Sequence, residues 1–414
     1  MYLYHNIEND LVIDVNQIYH RQYVMQQMKQ RFASFGYREI HTSAFEPYDL
    51  YVQMNGTVNH NEMMKTIDNT GEVLVLRPDI TIPLTQQIAT NNKEIVEDLR
   101  YFYVLDVFRQ AQESKDNRQR TQAGVEYFGN ATPEADSEII ALSIELLQDI
   151  HFDHVKIELG HAGFFAQLIE QMNLNKHDLN ELKQYIQAKN ITEIEQLMKR
   201  INVAEDLKEI VISLPFLYGD PMKVIQQAKK LPLQKNMLKT LDNMTDIYNN
   251  LKANEMAQHI VIDLSLINHM DYYSDMIFQG FIENIGKPII MGGRYNTLAK
   301  QFGAEIPAIG FACDLDVLAE SREQSVVSEV PDIDVKLLYD PSLKAEVLQL
   351  AKQLRNQKLQ VISYSKNSLK EQMPKTTYTV MMEESQLTLT TGTGVKEVFS
   401  TTEALKTFLK KERE

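Results

Sequence analysis

The sequence predicts an α+β fold, and three features of its patterning carry that reading. Short apolar runs rich in β-branched and aromatic residues, at 73–76, 101–108 and 123–129, follow one another as strands separated by loops. Residues from about 163 to 256 are dominated instead by Leu, Gln, Lys, Glu, Asn and Met at helical spacing, with few β-branched clusters. Beyond residue 332 strand-like and helix-like segments alternate, the pattern of a small α/β domain.

Taken in order, residues 10–35 place Leu11, Ile13, Val15, Ile18, Tyr23, Met25 and Met28 at helix-compatible spacing and stop before Gly36. Residues 37–46 alternate as one strand would. The run 73–76 leads into Arg77-Pro78-Asp79-Ile80-Thr81, where Asp79 is also placed to cap a helix starting at Ile80. A polar stretch, 110–120, separates the strand at 101–108 from the one at 123–129. The helical stretch shows its period at Leu179, Leu182, Tyr185 and Ile186. Ser, Glu and Val with Pro331 make 321–332 a linker. The tail then reads as strand 335–339, helix 342–358, strands 359–363, 378–382 and 387–389, and a helix 402–411. The layout expected is one domain from 1–162 and 257–320, a helical insertion 163–256, the linker, and a C-terminal α/β domain 333–414.

Composition narrows the function class. A net charge of −15, from 42 basic and 57 acidic side chains in 414 residues, disfavours attraction to a phosphate backbone, so no nucleic-acid partner is expected. One cysteine, Cys313, excludes an internal disulfide and a cysteine zinc cluster and fits a reducing compartment. The first residues lack the features of a signal peptide, and no apolar run approaches the roughly 18 residues that span a bilayer. A cytoplasmic protein with no membrane partner is expected. The ten histidines are scattered, and no phosphate-binding loop, nucleophile elbow or dinucleotide fingerprint is present, so neither metal nor cofactor is expected.

Chemistry concentrates in four segments. They are Leu76-Arg77-Pro78-Asp79-Ile80-Thr81; Phe108-Arg109 with Gln122-Ala123-Gly124-Val125-Glu126; Asn268-His269-Met270-Asp271-Tyr272-Tyr273; and Gly292-Gly293-Arg294-Tyr295 followed by residues 310–318. Their order and spacing resemble histidyl-tRNA synthetase, with its L-R-P-E-G-T, Q-x-G-x-E, R-G-L-D-Y-Y, G-G-R-Y and G-F-A-x-G-x-E-R-L. The resemblance implies a class II aminoacyl-tRNA synthetase-like antiparallel sheet, and for the tail a motif-poor likeness to an anticodon-binding domain. Residues 36–47 resemble the motif that builds the synthetase dimer, with Ser43 where a proline stands. A homodimer is therefore implied.

The departures are chemical. Asn268 and Val317 replace arginines that hold phosphate, Ala111 replaces an acidic residue, Asp316 a glutamate, and Asp314 a glycine. Adenylate formation needs preorganised cations at the α-phosphate, and neither an amide nor a valine supplies one. The pattern therefore resembles the non-catalytic relative, the regulatory subunit of ATP phosphoribosyltransferase in histidine biosynthesis. Leu159-Gly160-His161 adds to that likeness, His161 itself being read as no ligand.

That resemblance implies a histidine site formed by Asp79, Thr81, Arg109, Gln122, Glu126, Tyr272 and Tyr273 and no catalytic residue. An ammonium has three donors and needs clustered acceptors, Arg109 suits a carboxylate, and the tyrosines suit an imidazole. One tyrosine of the pair is expected to face the sheet core, as successive strand residues do. Gly292-Gly293-Arg294-Tyr295 reads as a tight turn into a helix. Arg118 and Arg120 could bind an anion or simply be solvated. The implied partners are a short-form catalytic ATP phosphoribosyltransferase subunit, in a hetero-octamer, and histidine as effector of feedback inhibition. An active histidyl-tRNA synthetase and a stand-alone histidine sensor are the alternatives.

Overall fold

The computed structural model describes residues 15–52, 58–91, 97–110, 118–267, 272–325, 333–368, 373–384, 386–392 and 394–411. The chain divides into two compact units, the larger spanning Gln17–Val326 and the smaller built on the described residues from Ile333 to Lys411. Of the segments singled out above, residues 1–14, Ala111 with its loop to 117, Asn268–Asp271 as 268–271, and 326–332 lie outside the described residues.

In chain order the larger unit opens with helix α1 (Val15–Ser34), strands β1 (Arg38–Glu39) and β2 (Phe45–Pro47), helix α2 (Asp49–Val52), strands β3 (Lys65–Ile67) and β4 (Val73–Leu76), and helix α3 (Thr81–Asn91). Strands β5 (Leu99–Phe108) and β6 (Gln119–Phe128), helix α4 (Pro133–Asp149) and strand β7 (Val155–His161) follow. Six helices come next: α5 (Ala162–Met172), α6 (Lys176–Gln187), α7 (Ile191–Arg200), α8 (Glu205–Ser213), α9 (Pro221–Ala228) and α10 (Lys235–Ala253). They are interrupted after α8 by the two-residue strand β8 (Tyr218–Gly219). The unit closes with β9 (Ile260–Asp263), β10 (Met276–Ile282), β11 (Ile290–Arg294), β12 (Ala308–Asp314) and helix α11 (Leu315–Ser325).

Nine of these strands form one sheet in the order β1-β5-β6-β12-β11-β10-β7-β9-β8. The six central strands run antiparallel; β1 joins β5 and β9 joins β7 in parallel. Strict alternation gives the sheet two different faces. Phe102, Ala123, Val125, Tyr127, Ile309 and Phe311 belong to the main core, together with Val24, Met28 and Phe32 of α1 and the inner face of α4. The helices after β7 join that same core through residues such as Leu182, Ile186, Ile194 and Leu197. The opposite face carries Tyr101, Tyr103, Glu126 and Phe128, and over it lie α3 and the small sheet β2-β4-β3. The functional residues gather there.

Several elements depart from the sequence reading. Residues 37–46 do not form one strand: β1 pairs in the large sheet and β2 in the small one, because the chain crosses between them at 40–44. Gly292-Gly293-Arg294 is no turn into a helix but the second half of β11, hydrogen-bonded on both sides. The glycines serve close approach within a sheet. A Cβ at Gly292 would lie 2.5 Å from the Phe278 ring, so the packing of Phe278 against Phe311 needs its absence.

In the smaller unit, strands β13 (Ile333–Tyr339), β14 (Val361–Ser365), β15 (Thr376–Glu383), β16 (Gln386–Thr391) and β17 (Lys396–Phe399) form a sheet in the order β14-β13-β15-β16-β17. Helices α12 (Lys344–Asn356) and α13 (Thr402–Lys411) complete it. Val347, Leu350, Leu354, Leu405 and Leu409 share a core with Val335, Leu337, Val380 and Leu389.

Candidate functional site

A row of directly opposed residues crosses the sheet: Tyr101 on β5, Glu126 on β6, Gly310 on β12, Gly293 on β11 and Ile277 on β10. Two glycines in succession leave the side-chain layer bare beside Glu126. A Cβ at Gly310 would overlap the Glu126 carboxyl, and one at Gly293 would come 2.9 Å from the Tyr273 ring. The gap is a cavity of about 380 Å³, within the range of small-molecule sites.

All seven residues named from the sequence, Asp79, Thr81, Arg109, Gln122, Glu126, Tyr272 and Tyr273, line this cavity. Glu126 and Gln122 point into it by strand alternation along β6. Asp79 and Thr81 arrive at the start of α3. Asp79 does cap that helix, its Oδ1 accepting the Ile82 N–H at 2.8 Å, so capping and cavity lining coincide in one residue. Thr81 donates its hydroxyl to Glu126 Oε1 at 2.6 Å, and Tyr295 donates to Oε2. Arg109 reaches the rim with its Nε donating to the Pro78 carbonyl at 3.0 Å. Arg118 and Arg120 stand exposed at the same opening, with Lys287 from the β10–β11 loop.

Although Tyr272 does pack in the apolar cluster with Phe128 and Tyr295, Tyr272 and Tyr273 are not strand residues, which corrects the expectation from strand alternation. They lie in a loop before β10 with both rings at the cavity, centroids 4.7 Å apart. Tyr272 meets Tyr295 edge to face at 5.8 Å. Tyr295 and Tyr103 are among the lining residues to which the sequence reading gave no role. Tyr103 had a signal, since it lies two residues from Tyr101 on the same face of β5, opposite Gly124, where a Cβ would lie 2.5 Å from its hydroxyl.

The electrostatics of the cavity are unusual. Burial raises the Glu126 carboxyl to about 8, against the opposing pull of the Thr81 and Tyr295 hydroxyls and with a further push from Asp79. Burial raises Asp79 as well, opposed by the Ile82 N–H and by the charge of Arg109. Burial also pushes up the phenols of Tyr103, Tyr272, Tyr273 and Tyr295, so they remain neutral donors.

The departures from the synthetase pattern that fall on described residues have structural employment. Asp314 Oδ1 accepts the N–H groups of Asp316 and Val317, both at 3.1 Å, and so caps α11. Asp316 pairs with Arg21 of α1 at 2.9 Å and accepts the Thr121 N–H at 2.9 Å. Val317 lines the cavity and packs against the core. Arg294 forms a buried ion pair with Asp136 of α4 at 2.6 Å and donates to the Asn130 carbonyl. His161 ends β7, buried, with burial lowering it to about 4 and no partner for Nδ1; it does not line the cavity. Among the described residues one group, His177, Asp178 and Glu181, comes within coordinating reach, and Arg200 already pairs with both of its carboxylates. No described helix is long and apolar enough to cross a membrane.

The histidyl-tRNA synthetase family profile matches residues 13–318. A protein of Oceanobacillus iheyensis named ATP phosphoribosyltransferase regulatory subunit is 41% identical over 339 residues, 82% of this chain and 83% of its own length. One of the same name from Ruminiclostridium cellulolyticum is 31% identical over 86% of this chain and 84% of its own. Among solved structures, an ATP phosphoribosyltransferase regulatory subunit/histidyl-tRNA synthetase from Bacillus halodurans matches with a TM-score of 0.75 at 27% identity, covering 86% of this chain and 90% of that one. Histidyl-tRNA synthetase from Nostoc sp. PCC 7120 matches with a TM-score of 0.79 at 18% identity over 96% of both chains, which shows the class II synthetase fold.

Proposed function

The chain belongs to the ATP phosphoribosyltransferase regulatory subunit family, which has the histidyl-tRNA synthetase fold, and on that premise we propose that it binds free histidine in the cavity around Glu126 and regulates a catalytic subunit without itself catalysing a reaction. The observation that carries this reading is the pair of buried carboxyl groups, Asp79 and Glu126, on one cavity wall. The hydrogen bonds that the described residues give Glu126 come from neutral hydroxyls, so a ligand ammonium would supply the compensating charge. Arg109 at the rim suits the ligand carboxylate, and the Tyr272–Tyr273 pair suits an imidazole ring.

Adenylate chemistry is not expected. Val317 is apolar where a phosphate-holding arginine would stand, and Asp316 is engaged with Arg21. The partner proposed is a short-form catalytic subunit that lacks a regulatory domain, met in the cytoplasm in a hetero-octamer built around homodimers. Histidine would inhibit by binding the inactive state of that assembly more tightly than the active one. The C-terminal α/β unit favours the second reading, an active histidyl-tRNA synthetase. Histidine-dependent pyrophosphate exchange with ATP separates the two: none is expected, and robust exchange would establish the synthetase.

The binding reading is tested by calorimetry with histidine. Glu126→Ala removes an acceptor from a buried ammonium site and should weaken binding by about 1.5–3 kcal/mol, roughly ten- to a hundredfold. Unchanged affinity in Glu126→Ala and Tyr272→Phe would place the histidine site elsewhere.

A further inference from the structure

Glu46 lies outside the cavity, in the small sheet, and its surroundings are peculiar. It stands opposite Val75 in the β2–β4 ladder, and the ladder continues with the Arg77 N–H donating to the Ala44 carbonyl at 2.9 Å. Directly opposed residues and their i+2 neighbours share a face, so Glu46, Val75 and Arg77 point the same way, toward the exit of β4 that delivers Asp79. Glu46 is only 4% exposed. Its Oε2 accepts the hydroxyl of the fully buried Tyr51, while its Oε1 is buried with no hydrogen-bond partner.

The nearest cation does not engage it directly. The Arg77 guanidinium is committed to the carbonyls of Asp106, Thr42 and Ser43 and to the Thr42 hydroxyl, at 2.7–3.2 Å. The other titratable groups around Glu46 are Tyr51 of α2 and Asp79 beyond β4; Asp106 of β5 acts on Arg77, and Lys65 of β3 is exposed and lies over the Tyr48 ring. A buried carboxylate with an orphaned oxygen and no bonded cation is unstable as an anion. Burial accordingly raises Glu46 to about 7, with the Tyr51 hydroxyl pulling it down and the charge of Asp79 pushing it up. Asp79 also pushes up Glu126. Asp79 thus acts electrostatically on two other buried carboxyl groups, Glu46 and Glu126.

We propose that Glu46 is a positioning residue that sets the proton balance of the pocket: a cation arriving between Asp79 and Glu126 releases a proton to solvent from Glu46, which it does not touch, as well as one from Glu126. The inference rests on the proposed binding of a cationic ligand at Glu126. The ligand charge offsets that of Asp79, and the push on both neighbours relaxes together. Affinity then rises with pH more steeply than Glu126 alone dictates, since the slope of log affinity against pH counts the protons released.

The experiment is calorimetry of L-histidine binding to the full chain near pH 6.5, where Glu46 is still largely protonated, in buffers of different ionisation enthalpy, which counts released protons. Glu46→Gln should release measurably fewer protons than the wild type and show a shallower rise of affinity between about pH 6.5 and 8.5, binding most alike at the bottom of that range and more weakly than the wild type at its top. Tyr51→Phe keeps the carboxyl but removes the donor that favours its anion, and should move the steep region to higher pH. Equal proton counts in wild type and Glu46→Gln would overturn the proposal. A second measurement needs no ligand: infrared titration should show a protonated-carboxyl band at pH 6 that is weaker in Glu46→Gln, where Glu126 keeps its own share, and bands of equal strength in the two proteins would also overturn the proposal. With that band present and histidine failing to bind, the histidine reading is what falls.

Discussion

Glu126 illustrates how a single residue can be costly to the fold and useful to a site. Burial raises its proton affinity from the ordinary glutamate value of 4.5 to about 8 in the folded chain. A group shifted upward contributes its stability fully below its unfolded value and loses it as pH rises through its folded value. The ligand-free protein should therefore lose stability between about pH 4.5 and pH 8, by on the order of 5 kcal/mol from this residue. Thermal denaturation across that range should show a falling midpoint in the wild type and a flatter one in Glu126→Gln, which keeps the shape without the charge. Asp79 and Glu46, raised in the same direction, leave a residual slope in the variant. Parallel curves for the two proteins would mean that Glu126 is ionised in the free state. The residues on this wall were legible because their spacing matches a known pattern. Tyr295 was visible as a letter of that pattern but not as a donor to Glu126, because the bond spans 169 residues and depends on the sheet register.

At the scale of elements, periodicity identified what repeats and missed what bends. The helices were legible from their apolar stripes, and α13 (Thr402–Lys411) and β4 (Val73–Leu76) have the bounds their patterns predict. The misreading of Gly292-Gly293-Arg294 as a turn has a physical source. Consecutive glycines signal a tight turn when the neighbours are polar and solvated, whereas here they sit between antiparallel partners and make room for Phe278 and Tyr273. The arginine that follows is no surface charge. It is 3% exposed and bonded to Asp136, which joins β11 to α4 across the core. Arg294→Met should leave Asp136 buried and unpaired, at a cost of about 3–5 kcal/mol, whereas Arg294→Met combined with Asp136→Leu should recover most of that loss. Urea denaturation of both variants checks this, and a double variant no more stable than the single one would show that the pair does more than neutralise itself.

At the scale of the whole molecule, a small-molecule pocket regulates another chain only if ligand binding and assembly share a free energy. The family name of the relatives supplies the catalytic subunit as the partner, and symmetric assembly would place several copies of both chains in one closed particle. Mixing this protein with a purified short-form catalytic subunit should therefore give a stable complex by size exclusion, with phosphoribosyl transfer raised by this chain and lowered again by histidine. Reciprocity sharpens the expectation: if histidine disfavours the active assembly, saturating the catalytic subunit with its substrates should weaken histidine binding by the same factor. Glu126→Ala should retain the activating effect, since that side chain lies in the cavity, but require ten- to a hundredfold more histidine for inhibition. A mixture that stays as separate species, with catalysis indifferent to this chain, would remove the regulatory partnership and leave a histidine-binding protein acting on its own.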